Sequence, residues 1–317
     1  MAAKRASVED ELARLKEHPE PAVITAALSS KHARVVAAAA ALIKARTLEG
    51  HAAALKAAYG RFLEDPVKRD PGCRAKLAVL EALDFTETMD DEPFLAATSL
   101  TQLEPAWGPP VDTAAPCRAR GVLALARMGH PDAVLIAGTL LADKEVPVRL
   151  AAAEALSSAG VRAAAGVLLH KLEVGDEDPL VLLACMGGVL SLAPELALAR
   201  FVPMLREPEG QRRELAALCL GQSSLLAAAQ ALIAAVDDCV LSKERAVLLR
   251  ALGLHRSDAA LEALVAVIEG DHETDARAAL RALAPRRFEA SVRARVEQAV
   301  RGNSSLERDF TEAFKDA

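Results

Sequence analysis

Aromatic residues are scarce in this chain. They make up 3% of its 317 residues, whereas hydrophobic residues as a whole make up 52%. The apolar surface is therefore mainly that of alanine and leucine, which suits closely packed helices and disfavours a β-rich fold. Positive charge is also in deficit: the net charge is −6, so the chain has no overall attraction to nucleic acid or to an anionic membrane.

Cysteine pairs are absent too. The five cysteines, an odd number, contain no Cys-x-x-Cys spacing, and Cys185 and Cys219 lie within apolar helical stripes, where a free thiol acts as a small hydrophobe. We therefore expect a reducing compartment.

Long apolar runs are missing. The longest, Leu180 to Ala193, is too short for a membrane span, and the N-terminal region meets acidic residues before any apolar run, unlike a secretory signal. We expect a cytoplasmic protein without a membrane span.

Catalytic motifs are missing as well. The chain has no GxGxxG, GxxxxGK[ST], GxSxG or HExxH motif, and its seven histidines are scattered without the spacing of metal ligands. We therefore expect no catalytic site, no metal and no cofactor.

A repeated unit is clearest between Asp143 and Gly175. Pro147 suits the first turn of a helix, and Gly160 can end that helix in a left-handed conformation before a second helix begins. Apolar residues fall on one face of each helix: Val148, Ala152, Ala155 and Ala159 in the first, and Val161, Ala165, Leu168 and Leu172 in the second. Two short helices cannot bury these faces alone, so the unit predicts stacked neighbours on both sides.

A small or β-branched residue followed by leucine marks the end of the first helix and recurs along the chain. The leucines of these pairs are Leu42, Leu83, Leu125, Leu156, Leu190, Leu220, Leu252 and Leu283. From Leu125 onward they are 30 to 34 residues apart, about the length of one helical hairpin. A basic residue often lies seven positions earlier, as Arg118, Arg149, Arg213 and Arg245 do. This regularity predicts about eight hairpins.

The pattern D-x-x-x-P-V-R-x-A-A-A-x-A-L-x-x-x-G, from Asp143 to Gly160, resembles the HEAT-like repeat of bacterial proteins, the type first associated with phycobilin lyases. The resemblance covers roughly residues 30–300 and implies an all-α fold, a right-handed α-solenoid of the HEAT and armadillo kind. HEAT-like arrays serve mostly as protein-binding scaffolds, with enzymes a minority, so the resemblance is specific for fold and says little about chemistry.

We predict one continuous solenoid over residues 1–300, with an irregular insertion at 84–117, followed by a C-terminal tail or capping helix over 301–317. In the tail, Leu306, Phe310 and Phe314 recur every four residues. This spacing favours a hydrophobic lid that folds back on the array, with insertion into a partner's groove as the alternative.

The insertion contains the one tryptophan of the chain, Trp107. Four prolines around it forbid regular helix, and insertions of this kind often emerge on the binding face of an array. Tryptophan is enriched in binding hot spots. We therefore predict a partner-contact region made of Gln102, Glu104, Trp107 and Asp112. The alternative is that Trp107 fills a gap left by an irregular repeat and that Asp112 or Thr113 caps the next helix.

The last regular hairpin reverses the sign of the charge. Residues 277–301 contain seven arginines and two glutamates. We predict a second contact region, for an acidic partner or for phosphate groups, made of Arg286, Arg287, Arg293 and Arg295. The alternative is a solvated face on a terminal repeat.

These observations favour a non-enzymatic scaffold that presents a concave surface of second helices to a protein partner. The rival hypothesis is a nucleic-acid-binding or DNA-glycosylase-like HEAT protein, but the middle of the array is neither basic nor aromatic. A lyase-like chaperone for a small ligand is third, although nothing marks a tetrapyrrole pocket. Deoxyhypusine hydroxylase binds di-iron through several His-Glu pairs, and this chain has one, His272-Glu273.

Overall fold

Helices dominate the structure, a computed structural model in which residues 7–207 and 210–315 are described. The chain divides into two compact units, Met1–Ala164 and Ala165–Ala317. Parts of the predicted array and tail, residues 1–6 and 316–317, lie outside the described residues, and the single-array boundary at residue 300 stays a prediction. None of the described helices is both long and apolar enough to cross a bilayer.

The first unit contains helices and one short antiparallel sheet, in which Leu103 pairs with Asp112 and Glu104 with Val111. Its elements are α1 (Val8–Glu17), α2 (Pro21–Leu28), α3 (Ala33–Arg46), α4 (Ala52–Leu63), α5 (Pro66–Arg69), a 3-10 turn (Pro71–Cys73), α6 (Arg74–Phe85), α7 (Glu92–Thr98), β1 (Leu103–Ala106), β2 (Gly108–Asp112), α8 (Ala115–Arg127), α9 (Ala133–Leu140) and α10 (Val146–Ser158).

The described elements of the second unit are all helices or 3-10 turns, joined by short loops. Its elements are α11 (Ala164–Val174), α12 (Pro179–Leu192), α13 (Pro194–Phe201), a 3-10 turn (Pro203–Arg206), α14 (Gln211–Gly221), α15 (Leu226–Asp238), α16 (Ser242–Leu254), α17 (Asp258–Glu269), α18 (Glu273–Leu283), a 3-10 turn (Ala284–Arg286), α19 (Ala290–Val300) and α20 (Ser304–Ala313).

Within each unit the helices stack in layers. In the first unit α3, α6, α8 and α10 pack successively as the first helices of their hairpins, and α2, α4 and α7 form the layer of second helices. In the second unit α12, α14, α16 and α18 form the first layer, and α15, α17 and α19 form the second. This arrangement confirms the all-α solenoid fold class.

The repeated leucines define the core as predicted. All eight lie in first helices, and seven of them are at most 6% exposed. Leu42, in α3, is half-buried. Gly160 ends α10 with a φ of +66°, in the expected left-handed region. Val161 is 48% exposed, however, because the next helix begins only at Ala164, so its predicted place on the inner face is wrong.

Two glycines bring first helices close together. A Cβ added at Gly221 would lie 2.2 Å from the carbonyl oxygen of Ala251, and one at Gly253 would lie 2.5 Å from that of Ala282. Each glycine directly follows one of the repeated leucines, Leu220 or Leu252. Backbone contact between neighbouring first helices therefore depends on the absence of a side chain at these positions.

The C-terminal helix covers the end of the second unit. α20 packs against α18 and α19, with Leu306 and Phe314 nearly fully buried. The Phe310 ring stacks on the Phe314 ring with 4.7 Å between centroids. These contacts are those of a helix that folds back on the array.

Candidate functional site

The insertion forms a β-hairpin with an aromatic residue at its tip. Trp107 lies in the turn between β1 and β2 and is followed by Gly108, whose φ of +151° is rarely adopted by residues with side chains. The Trp107 side chain is fully exposed. The alternative in which Trp107 fills a gap between repeats is therefore wrong.

Other side chains of the hairpin extend its apolar surface. Leu103 and Val111 are more than half exposed. The strands also contain Pro105, Pro109 and Pro110, and proline has no N–H to offer to an added strand. The hairpin is consequently suited to contacts through side chains and poorly suited to pairing along its edges.

Glu104 anchors the base of the hairpin. Its Oε1 atom accepts hydrogen bonds from the backbone N–H of Gly72 (2.6 Å), from Nε2 of Gln102 (2.6 Å) and from Oγ1 of Thr113 (2.8 Å). Partial burial opposes ionisation of the carboxyl group. The hydrogen bonds from Gly72, Gln102 and Thr113 outweigh that effect, so the pKa of Glu104 lies below its usual value.

Gln102 connects the hairpin to the preceding repeat. Its side chain is 2% exposed, and its Nε2 atom donates to the carbonyl oxygen of Asp70 at 2.9 Å. The Asp70 carboxylate in turn accepts from the Lys76 ammonium at 3.0 Å, and both of these side chains are fully buried. Two backbone N–H groups, from Ala75 and Lys76, also donate to Asp70. The hairpin therefore rests on a buried and well-bonded ion pair.

Asp112 holds the other strand. Its Oδ1 atom accepts from the backbone N–H groups of Gln102 and Ala114, and its Oδ2 atom accepts from Arg118 at 2.6 Å. Arg118 is buried and also bonds both oxygens of Asp143. Burial by itself would raise the pKa of Asp112. The hydrogen bonds from Gln102, Arg118 and Ala114 lower it by more than burial raises it, so the pKa of Asp112 lies below its usual value.

The four residues of the first predicted contact region thus separate into two groups. Trp107 is presented to solvent, whereas Gln102, Glu104 and Asp112 bond the hairpin to the helices. The prediction that Gln102 and Asp112 contact a partner directly needs correction, because the Gln102 side chain is buried and both carboxylate oxygens of Asp112 already accept hydrogen bonds within the chain. Lys76, which lies seven residues before Leu83, completes this anchor and was missed by sequence reasoning.

The second predicted contact region is more internally paired than its composition indicates. Arg286 is 8% exposed and donates to Glu289 at 2.7 Å, so its assignment as a docking residue is also corrected. The Arg287 guanidinium lies 4.3 Å from the centroid of the exposed Phe288 ring. Arg295 is exposed and lies 3.5 Å from Glu262. Arg293 is half-buried. The excess of arginines in the sequence therefore does not by itself identify a surface for an acidic partner.

Arginines of the repeat form ion pairs between neighbouring hairpins. Arg213 pairs with Glu244, and Arg245 pairs with Asp275 at 3.2 Å, as Arg118 does with Asp143 in the first unit. Each acid lies near the start of the following first helix. The basic residue seven positions before each repeated leucine indicates one member of each ion pair. The sequence pattern does not indicate the acidic member.

The described residues do not bring together the ligands of a metal ion. No cluster of His, Cys, Asp or Glu in residues 7–207 and 210–315 has the arrangement of a metal site. All five cysteines are free and buried. Burial raises the pKa of Cys185 and of Cys219 to about 12, so both thiols stay protonated and act as apolar side chains.

The second unit also has a groove of about 520 Å³ lined by residues of α12 and α14 and by the segment that precedes α15. Leu183, Leu190 and Leu225 contribute apolar surface, and Ser191 and Gln222 contribute neutral polar groups. The volume is in the range of small-molecule sites. No charged side chain is among its lining residues.

Stacked two-helix repeats give the chain the fold of a helical solenoid, similar to that of HEAT-repeat proteins. No protein-family model matches it, and no characterised protein matches its sequence.

Several solved structures are similar in fold. The complex of CpcE and CpcF of phycocyanin lyase from a Nostoc species is 16% identical over 98% of this chain and 97% of that chain, with a TM-score of 0.35. Kap121p bound to Pho4p is 14% identical over 96% of this chain but 39% of that chain, with a TM-score of 0.49. Human deoxyhypusine hydroxylase in complex with glycerol is 18% identical over 78% of this chain and 97% of that chain, with a TM-score of 0.31.

Proposed function

We propose that the chain is a non-enzymatic scaffold that binds a protein partner through the β-hairpin, with Trp107 as the main contact. The observation that carries this proposal is a fully exposed tryptophan at the tip of an anchored hairpin. Water-exposed tryptophan has no packing role in the chain, and burial of an indole in a partner's pocket is among the most favourable contacts in protein interfaces.

Anchoring supports the same proposal. The hydrogen bonds of Glu104 and Asp112 hold both strands before a partner arrives. Because less conformational freedom is then lost on binding, more of the contact energy is expressed as affinity. The expected partner surface is an apolar pocket of the size of an indole ring, bordered by groups that contact Leu103 and Val111.

The free, buried cysteines support a reducing, cytoplasmic setting for this scaffold. We propose neither a metal nor a cofactor for it.

The test is affinity capture of the tagged protein from its own cells with nuclease present, followed by titration of the purified partner. Trp107 is the one tryptophan of the chain, so the tryptophan fluorescence of this protein reports whether the Trp107 ring is buried by the partner. If the partner contains tryptophan, the fluorescence of the partner alone is subtracted. We expect Trp107→Ala to weaken binding about 30-fold or more, as removal of a hot-spot residue does. Leu135→Ala is the matched control, since Leu135 is a 70% exposed apolar residue on α9.

Two results would redirect the proposal. A partner that binds Trp107→Ala as tightly as the wild type would remove the hairpin as its contact. Recovery of DNA or RNA only without nuclease, with salt-sensitive binding lost in Arg287→Glu/Arg295→Glu, would support the nucleic-acid alternative instead.

A further inference from the structure

Two buried cysteines lie together under the base of the β-hairpin. Cys73 belongs to the 3-10 turn before α6, and its Sγ atom lies 3.6 Å from Oγ1 of Thr113, where the hairpin leads into α8. Cys117 follows Thr113 by one helical turn, and its thiol is in hydrogen-bond contact with the Cys73 thiol. The fold of the first unit therefore pairs two thiols that are distant in the sequence.

The backbone of Cys73 is unusual for a cysteine. Its φ of +53° lies in the left-handed region that favours glycine, and Gly72 before it has a φ of +74°. A residue with a side chain is costly in this conformation, and such residues cluster at functional sites. The turn thus holds a thiol against Thr113 and Cys117 at a conformational cost.

The hairpin shields this thiol pair. Cys73 is 1% exposed and Cys117 is 0% exposed, but Gly72 is at the surface. Glu104 bonds both sides of the covered thiol, since its Oε1 atom accepts from the N–H of Gly72 and from the hydroxyl of Thr113. Opening of the hairpin, which breaks these bonds, therefore uncovers Cys73 without separation of the helices.

We propose that Cys73 and Cys117 form a reversible disulfide with hydrogen peroxide as the oxidant, and that opening of the hairpin admits the peroxide. Disulfides in a reducing compartment are usually transient ones of this kind, with a catalytic or redox-sensing role. The site lies beneath the hairpin and does not depend on the binding of a partner at Trp107.

The two thiols have different roles in this reaction. Contact with Cys117 lowers the pKa of the Cys73 thiol, whereas the same contact and burial raise the pKa of the Cys117 thiol. Cys73 is therefore the nucleophile, because the thiolate is the reactive form. Its sulfur attacks one peroxide oxygen and the O–O bond breaks. The hydroxide that leaves takes up the proton released by Cys73 and becomes water.

The product of this first step is a sulfenic acid at Cys73. The Cys117 sulfur attacks the Cys73 sulfur, the S–O bond breaks, and the departing hydroxide takes the Cys117 proton to form a second water. Each thiol thus supplies one of the two electrons that reduce the peroxide. A dithiol reductant reverses the disulfide to two thiols.

The experiment is peroxide oxidation of the reduced full-length protein, followed by alkylation and tryptic digestion without reductant. The two cysteines lie in tryptic peptides 70–74 and 77–118. We expect a disulfide that joins these peptides and that is lost with dithiothreitol or in Cys73→Ser. In Cys117→Ser we expect a sulfenic acid at Cys73, trapped by dimedone. Cys219→Ala is the matched control and should oxidise as the wild type does, because Cys219 is a buried thiol of the second unit whose pKa is raised by burial.

Oxidation rates test the role of the hairpin. Glu104→Ala should accelerate disulfide formation about fivefold or more, because loss of its hydrogen bonds increases the open fraction. Glu64→Ala, which loses only a surface pair with Arg69, should react at the wild-type rate. The proposal is overturned if peroxide does not join the two peptides, or if Glu104→Ala and the wild type react equally fast. Preferential linkage of Cys73 or Cys117 to another cysteine would also overturn it.

Discussion

Replacement of Glu104 by alanine tests the anchor of the hairpin. The substitution removes a carboxylate that accepts three hydrogen bonds from Gly72, Gln102 and Thr113. Hydrogen bonds to charged groups contribute about 1.5–3 kcal/mol each, but these contributions are not additive. The structure indicates that the total loss of stability is smaller than the sum of three such bonds, because each donor has another acceptor, in the protein or in water.

The alternative partners can be identified one by one. Gly72 is exposed and its N–H can bond to water. Gln102 keeps its bond to the carbonyl oxygen of Asp70, and Thr113 keeps a 3.3 Å bond to the carbonyl oxygen of Gln102. We therefore expect Glu104→Ala to destabilise the closed hairpin by about 1–2 kcal/mol, which corresponds to a roughly 5- to 30-fold increase in its opening.

Hydrogen exchange measures this opening at individual amides. The amide of Thr113, which donates to the carbonyl oxygen of Gln102, should exchange about 5- to 30-fold faster in Glu104→Ala, whereas amides within α10 should be unchanged. Glu64→Ala is a control in which an exposed carboxylate loses only a surface pair with Arg69, and we expect little effect. Exchange at Thr113 within twofold of wild type would refute the anchoring role, and equal acceleration in α10 would show a global effect instead.

Three further predictions address the array and its pH dependence. Leu156→Asp should cause loss of cooperative helical structure, because a charge is placed in a fully buried site, whereas Leu135→Asp at an exposed site should change stability by about 0.5 kcal/mol or less. Gly253→Ala should destabilise by about 1–3 kcal/mol through overpacking, but Gly187→Ala, where an added Cβ meets nothing within 4 Å, should not destabilise. Since the pKa of Glu104 is lowered by folding, its stabilising contribution is present above the ordinary glutamate pKa of about 4.3 and is lost as the pH falls toward the lower folded value.

The measurements for these predictions are direct. Urea unfolding followed by circular dichroism compares each leucine and glycine variant with its control, and unchanged helicity and melting in Leu156→Asp would contradict the assigned helix register. Equal stability of the two glycine variants would contradict the close approach of α16 and α18. Exchange at Thr113, measured from pH 6 to pH 3 and corrected for its intrinsic pH dependence, should report loosening of the hairpin in the wild type. The change should be smaller in Glu104→Ala, where only Asp112 still loses its stabilising contribution as the pH falls.

The helical array could be predicted because its signals are local. Apolar residues at helical spacing, proline in first turns and Gly160 after α10 each specify a few successive residues. Repetition of the leucine marker then makes the whole array recognisable. The β-hairpin was harder to predict from the sequence. Its prolines exclude helix, but the pairing of β1 with β2 depends on a turn at Trp107 and Gly108 that has no common hairpin sequence signature.

The sequence by itself determined that the chain forms stacked helical hairpins with an interruption that contains Trp107, because these features arise from residues near one another in the chain. Only the tertiary structure decided which polar residues are accessible. Gln102 is buried because it bonds Asp70, 32 residues earlier, and Arg245 meets Asp275, 30 residues later, across neighbouring hairpins. Such contacts depend on how repeats stack, and the same residue types in solvent would be free to contact a partner.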